Sequence, residues 1–224
     1  MAGTVVFDLD GTLADTSADL IGAANACFRA RGLGDLLDPV ADSLIAFQGG
    51  RAMLREGYGR MSGNSLLPPG AEGDDYPRLL EHYAANIATC TQLYPGVVAA
   101  LDALAGQGHR LAVCTNKPEG LAHALLDQLG IRDAFASLIG ADTLPVRKPD
   151  PAPYKAAVAA AGGEVGRSFL LGDTDTDRKT AAAAGVKVAL VSFGPEGAGI
   201  ARLGPDALLD HFDDLPALAE SWLA

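Results

Sequence analysis

The sequence predicts an α/β fold: a parallel sheet covered by helices on both faces and interrupted after its first strand by an all-helical insertion. Three observations lead there. Short, apolar, β-rich runs alternate with helical patterns over most of the chain, as in parallel sheets buried on both faces. The strongest of these runs end in acids, Thr, Asn or Gly. Residues 16–94 break the alternation and carry helical patterns only.

The first run, Thr4–Leu9, is bounded beyond Asp10 by Gly11 and reads as a buried strand with carboxylates at its C-terminal end. Four helical patterns follow, at Asp19–Arg31, Pro39–Phe47, Arg51–Met61 and Asp75–Thr89, and the Gly-, Pro- and acid-rich stretch Gly63–Asp75 reads as a loop. Alternation resumes with a helix at Val97–Ala105, a strand at Arg110–Cys114, a helix at Leu121–Leu129 and a weaker strand at Ser137–Gly140. A helix at Pro153–Ala161, a strand at Ser168–Leu171, a helix at Thr176–Ala184 and a strand at Val186–Phe193 come next. A weak strand at Ala207–Leu209 and an acid-led helix at Asp213–Leu223 close the chain. The expected organisation is a three-layer, Rossmann-like core of residues 1–15 and 95–224, with residues 16–94 as a helical domain inserted into it.

Composition narrows the function. The 224 residues include 17 Lys and Arg against 28 Asp and Glu, a net charge of −11. Such a chain lacks the cationic surplus that general nucleic-acid binding needs. A small anionic ligand needs only a few convergent cations or a metal ion. Aromatics make up 6%, too few for a base-stacking platform. Cys27, Cys90 and Cys114 are widely spaced with no CxxC pair, and read as small buried apolar residues of a reducing compartment. Asp8 and Asp10 inside the first apolar stretch argue against a signal peptide. The longest run free of Asp, Glu, Lys and Arg, His82–Leu101, is broken by Asn86, Gln92 and Pro95 and does not suit a membrane span. A soluble, cytoplasmic protein is expected, monomeric or homodimeric, with no nucleic-acid or membrane partner.

Ligands of open parallel sheets bind outside the C-terminal strand ends. Three such ends are polar here: Asp8-Leu9-Asp10-Gly11-Thr12, Thr115-Asn116, and Gly172-Asp173-Thr174-Asp175-Thr176-Asp177; Lys148-Pro149 adds a fourth polar point in a loop. On an extended strand Asp8 and Asp10 would share a face while Leu9 points into the packing. Two adjacent carboxylates repel each other and any phosphate, and a hard divalent cation resolves the conflict. Asp173 and Asp177, four apart at a helix start, fall on one helical face and gain from the helix dipole.

These motifs, in this order and over nearly the whole chain, strongly resemble the haloacid dehalogenase superfamily of aspartate-nucleophile phosphatases. The insertion resembles its type-1 cap, and the opening at residues 7–20 is similar to that of phosphoglycolate phosphatases. The resemblance implies a phosphomonoesterase in which Asp8 attacks phosphorus and Asp10 serves as acid and then base. It implies that Thr115 and Lys148 hold and neutralise the transferring group, with Gly11, Thr12 and Asn116 beside the phosphate. It also implies Mg²⁺ bound through Asp8, the Asp10 carbonyl and Asp173, with Asp177 beside them. Gly50 and Arg51, at a helix start in the insertion, offer backbone N–H groups and a guanidinium to a small carboxylate such as that of 2-phosphoglycolate. Other phosphorylated metabolites remain open as substrates: a sugar phosphate, a nucleotide or pyrophosphate. So does a phosphomutase resembling β-phosphoglucomutase. A non-catalytic phospho-receiver switch fits less well, because such domains are shorter, lack the insertion and place their Lys-Pro after the last acids. His82, His109, His123 and His211 show no ligand spacing and read as structural, Cys114 as core-facing, and Asp175 as a capping or solvated residue.

Overall fold

The computed structural model describes residues 2–61 and 70–224. In chain order the elements begin with β1 (Thr4–Phe7), β2 (Ala14–Asp15), α1 (Ser17–Ala30), α2 (Ser43–Ala46), α3 (Gly50–Arg60), α4 (Ala71–Ala85) and β3 (Gln92–Leu93). They continue with α5 (Val97–Gly106), β4 (Arg110–Cys114), α6 (Glu119–Gln128), β5 (Ser137–Ile139), α7 (Pro151–Ala160), β6 (Ser168–Gly172), α8 (Asp175–Ala184), β7 (Lys187–Val191), β8 (Ala207–Leu209) and α9 (Leu215–Leu223). The chain divides into two compact units, one of Met1–Ala14 with Leu93–Ala224 and one of Asp15–Gln92.

The larger unit is an α/β fold around one six-stranded parallel sheet, ordered β5-β4-β1-β6-β7-β8. β1 is central because all four of its residues are apolar or small and buried, with Val5 facing Leu111 on one side and Phe169 on the other. Alternate residues feed opposite faces. Val6, Ala112, Leu170 and Val188 join Tyr154, Ala157, Val158 and Ala181 of α7 and α8 in one core layer. Phe7 packs edge-on to Phe135, and Phe169 edge-on to Trp222 of α9, at centroid separations of 5.8 and 5.0 Å. Small residues on α7 and α8 let those helices lie close to the sheet. The chain builds outward from β1 in one direction through β4 and β5, then returns to lay β6, β7 and β8 on the other. This order makes β1 the switch point, where such sheets bind ligands.

Several predicted boundaries move for local reasons. β1 ends at Phe7, not Leu9: the N–H groups of Thr12, Leu13 and Ala14 all converge on the Leu9 carbonyl, and Gly11 turns with φ +79°. The first acids therefore stand on a tight loop. α7 starts two residues early because Asp150 accepts from the Ala152 N–H at 2.8 Å and Pro151 opens the helix. Three residues of turn, Phe212–Asp214, stand where the last helix was expected to begin.

In the smaller unit α1, α3 and α4 pack on one another. Phe28 and Tyr58 meet edge-on at 5.0 Å, and a Cβ on Gly57 would fall 2.2 Å from the Phe28 ring, so only glycine admits this packing. The helix expected over Pro39–Phe47 shrinks to Ser43–Ala46. Asp38 takes the N–H groups of Val40 and Ala41 with its own carboxylate and gives its own N–H to Asp42, closing a turn instead. α4 begins at Ala71, inside the stretch read as a loop; residues 63–69 of that stretch lie outside the described residues. α4 stops at Ala85, where Asn86 donates to the His82 carbonyl, and Asp19 then takes the N–H groups of Cys90 and Thr91. Cys27 and Cys114 are buried as expected, whereas Cys90 is exposed. No helix among the described residues is long and apolar enough to cross a membrane.

Candidate active site

The C-terminal ends of β1 and β6 bring three acids together. One carboxylate oxygen from each of Asp8, Asp173 and Asp177 lies within 4.8 Å of the others, and all three residues are buried. Asp8 follows β1, its N–H still bonded to the Leu171 carbonyl at 2.9 Å. Asp173 follows β6, and Asp177 lies in the first turn of α8. That turn is fixed by a capping box, in which Thr174 and Asp177 exchange side-chain and backbone hydrogen bonds. A Cβ on Gly172 would fall 2.4 Å from the Asp177 carboxyl carbon, so glycine is required there for the acid to approach the strand end.

Lys148 supplies the cation. Its Nζ lies 2.9 Å from Asp8 Oδ2 and 2.7 Å from Asp177 Oδ1, and its side chain is 1% exposed. Three buried acids share this one ammonium, and their acidities respond. Burial pushes the Asp8 carboxyl up to about 6, against the pull of Lys148 and with a further push from Asp177. Burial, then the charges of Asp177 and Asp8, holds Asp173 well above the carboxylate range. Burial alone would weaken the Lys148 ammonium, but Asp177 and Asp8 outweigh it and keep the group protonated. Asp173 receives the Thr12 hydroxyl at 2.7 Å. Excess negative charge in a compact oxygen-rich pocket is what a hard divalent cation offsets, so the donor set fits one.

The Asp10 carboxylate does not join this cluster. It turns to Lys117, whose Nζ stands 2.7 and 3.0 Å from its two oxygens, so the expectation that Asp8 and Asp10 present their carboxylates on one face is revised. The cause is the loop: the chain leaves the strand at Phe7, and the two-residue spacing no longer follows an extended backbone. Leu9 is fully buried as expected. Thr115, at the end of β4, is buried, and its hydroxyl accepts the Lys117 N–H at 3.2 Å. Asn116 donates to the Lys148 carbonyl at 3.0 Å and so ties the β4 end to the lysine loop. Gly11 provides the left-handed turn after Asp10.

Gly50 and Arg51 open α3 in the other unit, with Gly49 at φ +95° as N-cap. The Arg51 guanidinium lies over the Tyr76 ring, 4.2 Å from its centroid. Asp175 forms an exposed ion pair with Lys179 one turn on, while Thr174 does the capping. Cys114 sits in the core layer, its thiol pushed up to about 12 by burial. His109 and His123 accept hydrogen bonds from the Gly3 N–H and Arg132. Sequence reasoning missed Lys117, for which a second lysine two residues after Thr115 at a polar strand end was the available signal. Gly172 stands in the strand end named from the sequence, but the close approach of Asp177 that requires glycine there is not legible in it.

Comparison with known proteins agrees with this geometry. Residues 5–191 match the family of haloacid dehalogenase-like hydrolases. The phosphoglycolate phosphatase of Rhodospirillum rubrum is 39% identical, over 96% of this chain and 90% of its own length. That of Caulobacter vibrioides is 40% identical, over 95% and 89%. A crystal structure of a predicted phosphoglycolate phosphatase from Haemophilus somnus superposes with a TM-score of 0.86 at 27% identity, covering 97% of each chain. CbbY from Rhodobacter sphaeroides, solved in complex with phosphate, gives a TM-score of 0.76 at 26% identity, covering 96% of each chain. With the acids at the strand ends, the lysine between them and a family match across most of its length, the chain belongs to the haloacid dehalogenase-like hydrolases.

Proposed function

We propose that this phosphatase hydrolyses 2-phosphoglycolate through a covalent phosphate ester of Asp8, with Mg²⁺ as cofactor. One observation carries the reading: the buried cluster of Asp8, Asp173 and Asp177 around Lys148, at the switch point of the sheet. The named relatives support the substrate.

In the proposed reaction an Asp8 oxygen attacks phosphorus as the bond to the glycolate oxygen breaks. Asp10, which takes up the proton of the phosphate monoester monoanion as the substrate binds, hands it to that leaving oxygen. Water then attacks the phosphorus of the aspartyl-phosphate and gives a proton back to Asp10, and the bond to Asp8 breaks, releasing phosphate. Lys148 offsets charge on Asp8 and the transferring group, the electrostatic contribution that dominates such transfers. Thr115 and Asn116, after β4, and Gly11 and Thr12, on the loop after β1, are proposed to hold the phosphate oxygens through the Thr115 hydroxyl and backbone N–H groups. Mg²⁺ held by Asp8, Asp173 and the Asp10 carbonyl, with Asp177 beside them, would supply positive charge against the phosphate oxygens. Gly50 and Arg51 are proposed to receive the substrate carboxylate.

A screen of metabolite phosphates by phosphate release tests this reading. The highest kcat/KM is expected for 2-phosphoglycolate, lost in EDTA and restored by Mg²⁺. Arg51→Ala should lower it about thirtyfold, the effect of about 2 kcal/mol for a charged hydrogen bond, and spare substrates without the carboxylate. Full activity in chelator would remove the metal, and a screen with no preference for the two-carbon acid would remove the substrate.

A further inference from the structure

The ion pair between Asp10 and Lys117 sets a problem for the proposed reaction, on which the following rests. The carboxylate that must reach the leaving oxygen has both of its oxygens within hydrogen-bond distance of one ammonium, at 2.7 and 3.0 Å. The Lys117 side chain is 4% exposed and that of Asp10 19%. Lys117 is also anchored through its backbone, its N–H on the Thr115 hydroxyl and its carbonyl on the Ala141 N–H at 2.9 Å. The stem can swing, but its root stays at the end of β4, beside the phosphate-facing rim.

An ammonium this buried does not give up a carboxylate readily unless another anion takes the place. Asp8 and Asp177 are already engaged by Lys148. We infer that Lys117 is the core's binding group for a second anion on the substrate, which takes the ammonium from Asp10 and frees that carboxylate for the leaving oxygen. Binding of the right substrate thus sets the acid in place, and a substrate without the second charge leaves Asp10 tethered. No bond is made or broken in the exchange, in which one ion pair replaces another; the freed Asp10 carboxylate then takes the proton of the substrate's phosphate monoanion, and this is the proton it hands to the leaving oxygen.

The spacing defines the class of substrate. Lys117 lies one hydrogen bond from Asp10, and Asp10 in action lies one hydrogen bond from the ester oxygen. The second anion, one further hydrogen bond beyond Lys117, therefore sits within roughly 9 Å of that oxygen, three hydrogen-bond lengths. A carboxylate on the carbon that bears the ester oxygen meets this, as does one a carbon or two further on. The core on its own thus selects short phosphorylated acids, separately from any contact made by Arg51.

The test compares 2-phosphoglycolate with ethyl phosphate, which matches it in size and lacks the carboxylate. The readout is the ratio of their kcat/KM values in the wild type, Lys117→Met and Lys117→Arg, with Mg²⁺ saturating. The ratio should fall about thirtyfold in Lys117→Met, the loss of one charged contact, and Lys117→Arg should restore most of it. Equal losses on both substrates would overturn the assignment, since Lys117 would then serve the phosphoryl group or the fold. An unchanged ratio would overturn it too. Should Lys117→Met lose its melting transition, Lys117→Gln, which keeps a polar head, is read the same way. A wild-type protein inert on every phosphomonoester would sink both this inference and the function it rests on; a working phosphatase with equal losses sinks the role of Lys117 alone.

Discussion

Each of the two units buries an acidic site, and the two are built on opposite plans. In the smaller unit one carboxylate, Asp75, is surrounded by donors. Arg31 reaches it through Nε at 2.5 Å and a second nitrogen at 3.0 Å, Arg78 lies at 3.3 Å, and the Tyr58 hydroxyl donates to it. Burial alone would raise the pKa of Asp75, but the Arg31 and Tyr58 hydrogen bonds and the arginine charges hold it below the carboxylate range. In the larger unit three carboxylates share Lys148, and both Asp8 and Asp173 are pushed up. An acid with donors to spare stabilises a fold. Acids outnumbering their donors destabilise it, and are kept where a ligand supplies the missing charge.

Replacing Asp8 should sharpen this contrast most. Asp8→Asn is expected to lower kcat by about 10⁴-fold or more, because an amide is no nucleophile toward phosphorus. The same change removes one of the mutually repelling charges, so the metal-free variant should melt higher than the wild type at pH 8. Thermal melts in EDTA and phosphate-release assays in Mg²⁺ give both readings. A fall in melting temperature would mean that the cluster stabilises the fold and the comparison fails.

Asp75→Asn should do the reverse. It leaves the Arg31 charge facing an amide within a buried network, at a cost of about 3 kcal/mol in urea unfolding, while kcat of the folded protein stays near the wild type. The pH responses should be opposed as well. With its folded value depressed, Asp75 contributes stability that is present above the ordinary 3.8 and lost as pH falls through the lowered value. Asp8, raised to about 6, contributes stability that is full below 3.8 and lost as pH rises through 6. Mg²⁺ should therefore raise the melting temperature by about 5–10 °C at pH 8 when present at a hundred times Kd, and by much less at pH 5. An equal gain at both pH values would argue that the cation binds elsewhere.

The asymmetry between the units also explains what was legible in the sequence. The runs Thr4–Leu9 and Ser168–Leu171 read as strands because buried parallel strands are continuous apolar runs, and Asp8, Asp173 and Asp177 stand out as charges toward their ends. Placement at strand ends is a local property, so the three acids could be named without knowing what faces what; Lys148, in a loop, is legible only through the order of the motifs. Pairing is not local. The link from Asp10 to Lys117 spans 107 residues and that from Arg31 to Asp75 spans 44, and no periodicity encodes either. The shortened α2 was hidden for another reason: Asp38 and Asp42 compete with the backbone for its own N–H groups, which a helical pattern of apolar residues does not register.

The central claim is that Asp8 accepts the phosphoryl group inside the acid cluster. Rapid acid quench of the enzyme with Mg²⁺ and 2-phosphoglycolate, followed by peptide mass analysis, tests it most directly. The account predicts a gain of one phosphoryl group on the peptide containing Asp8, absent in EDTA and absent from Asp8→Asn. Phosphate release that proceeds with no modified peptide, and persists in Asp8→Asn, would contradict it.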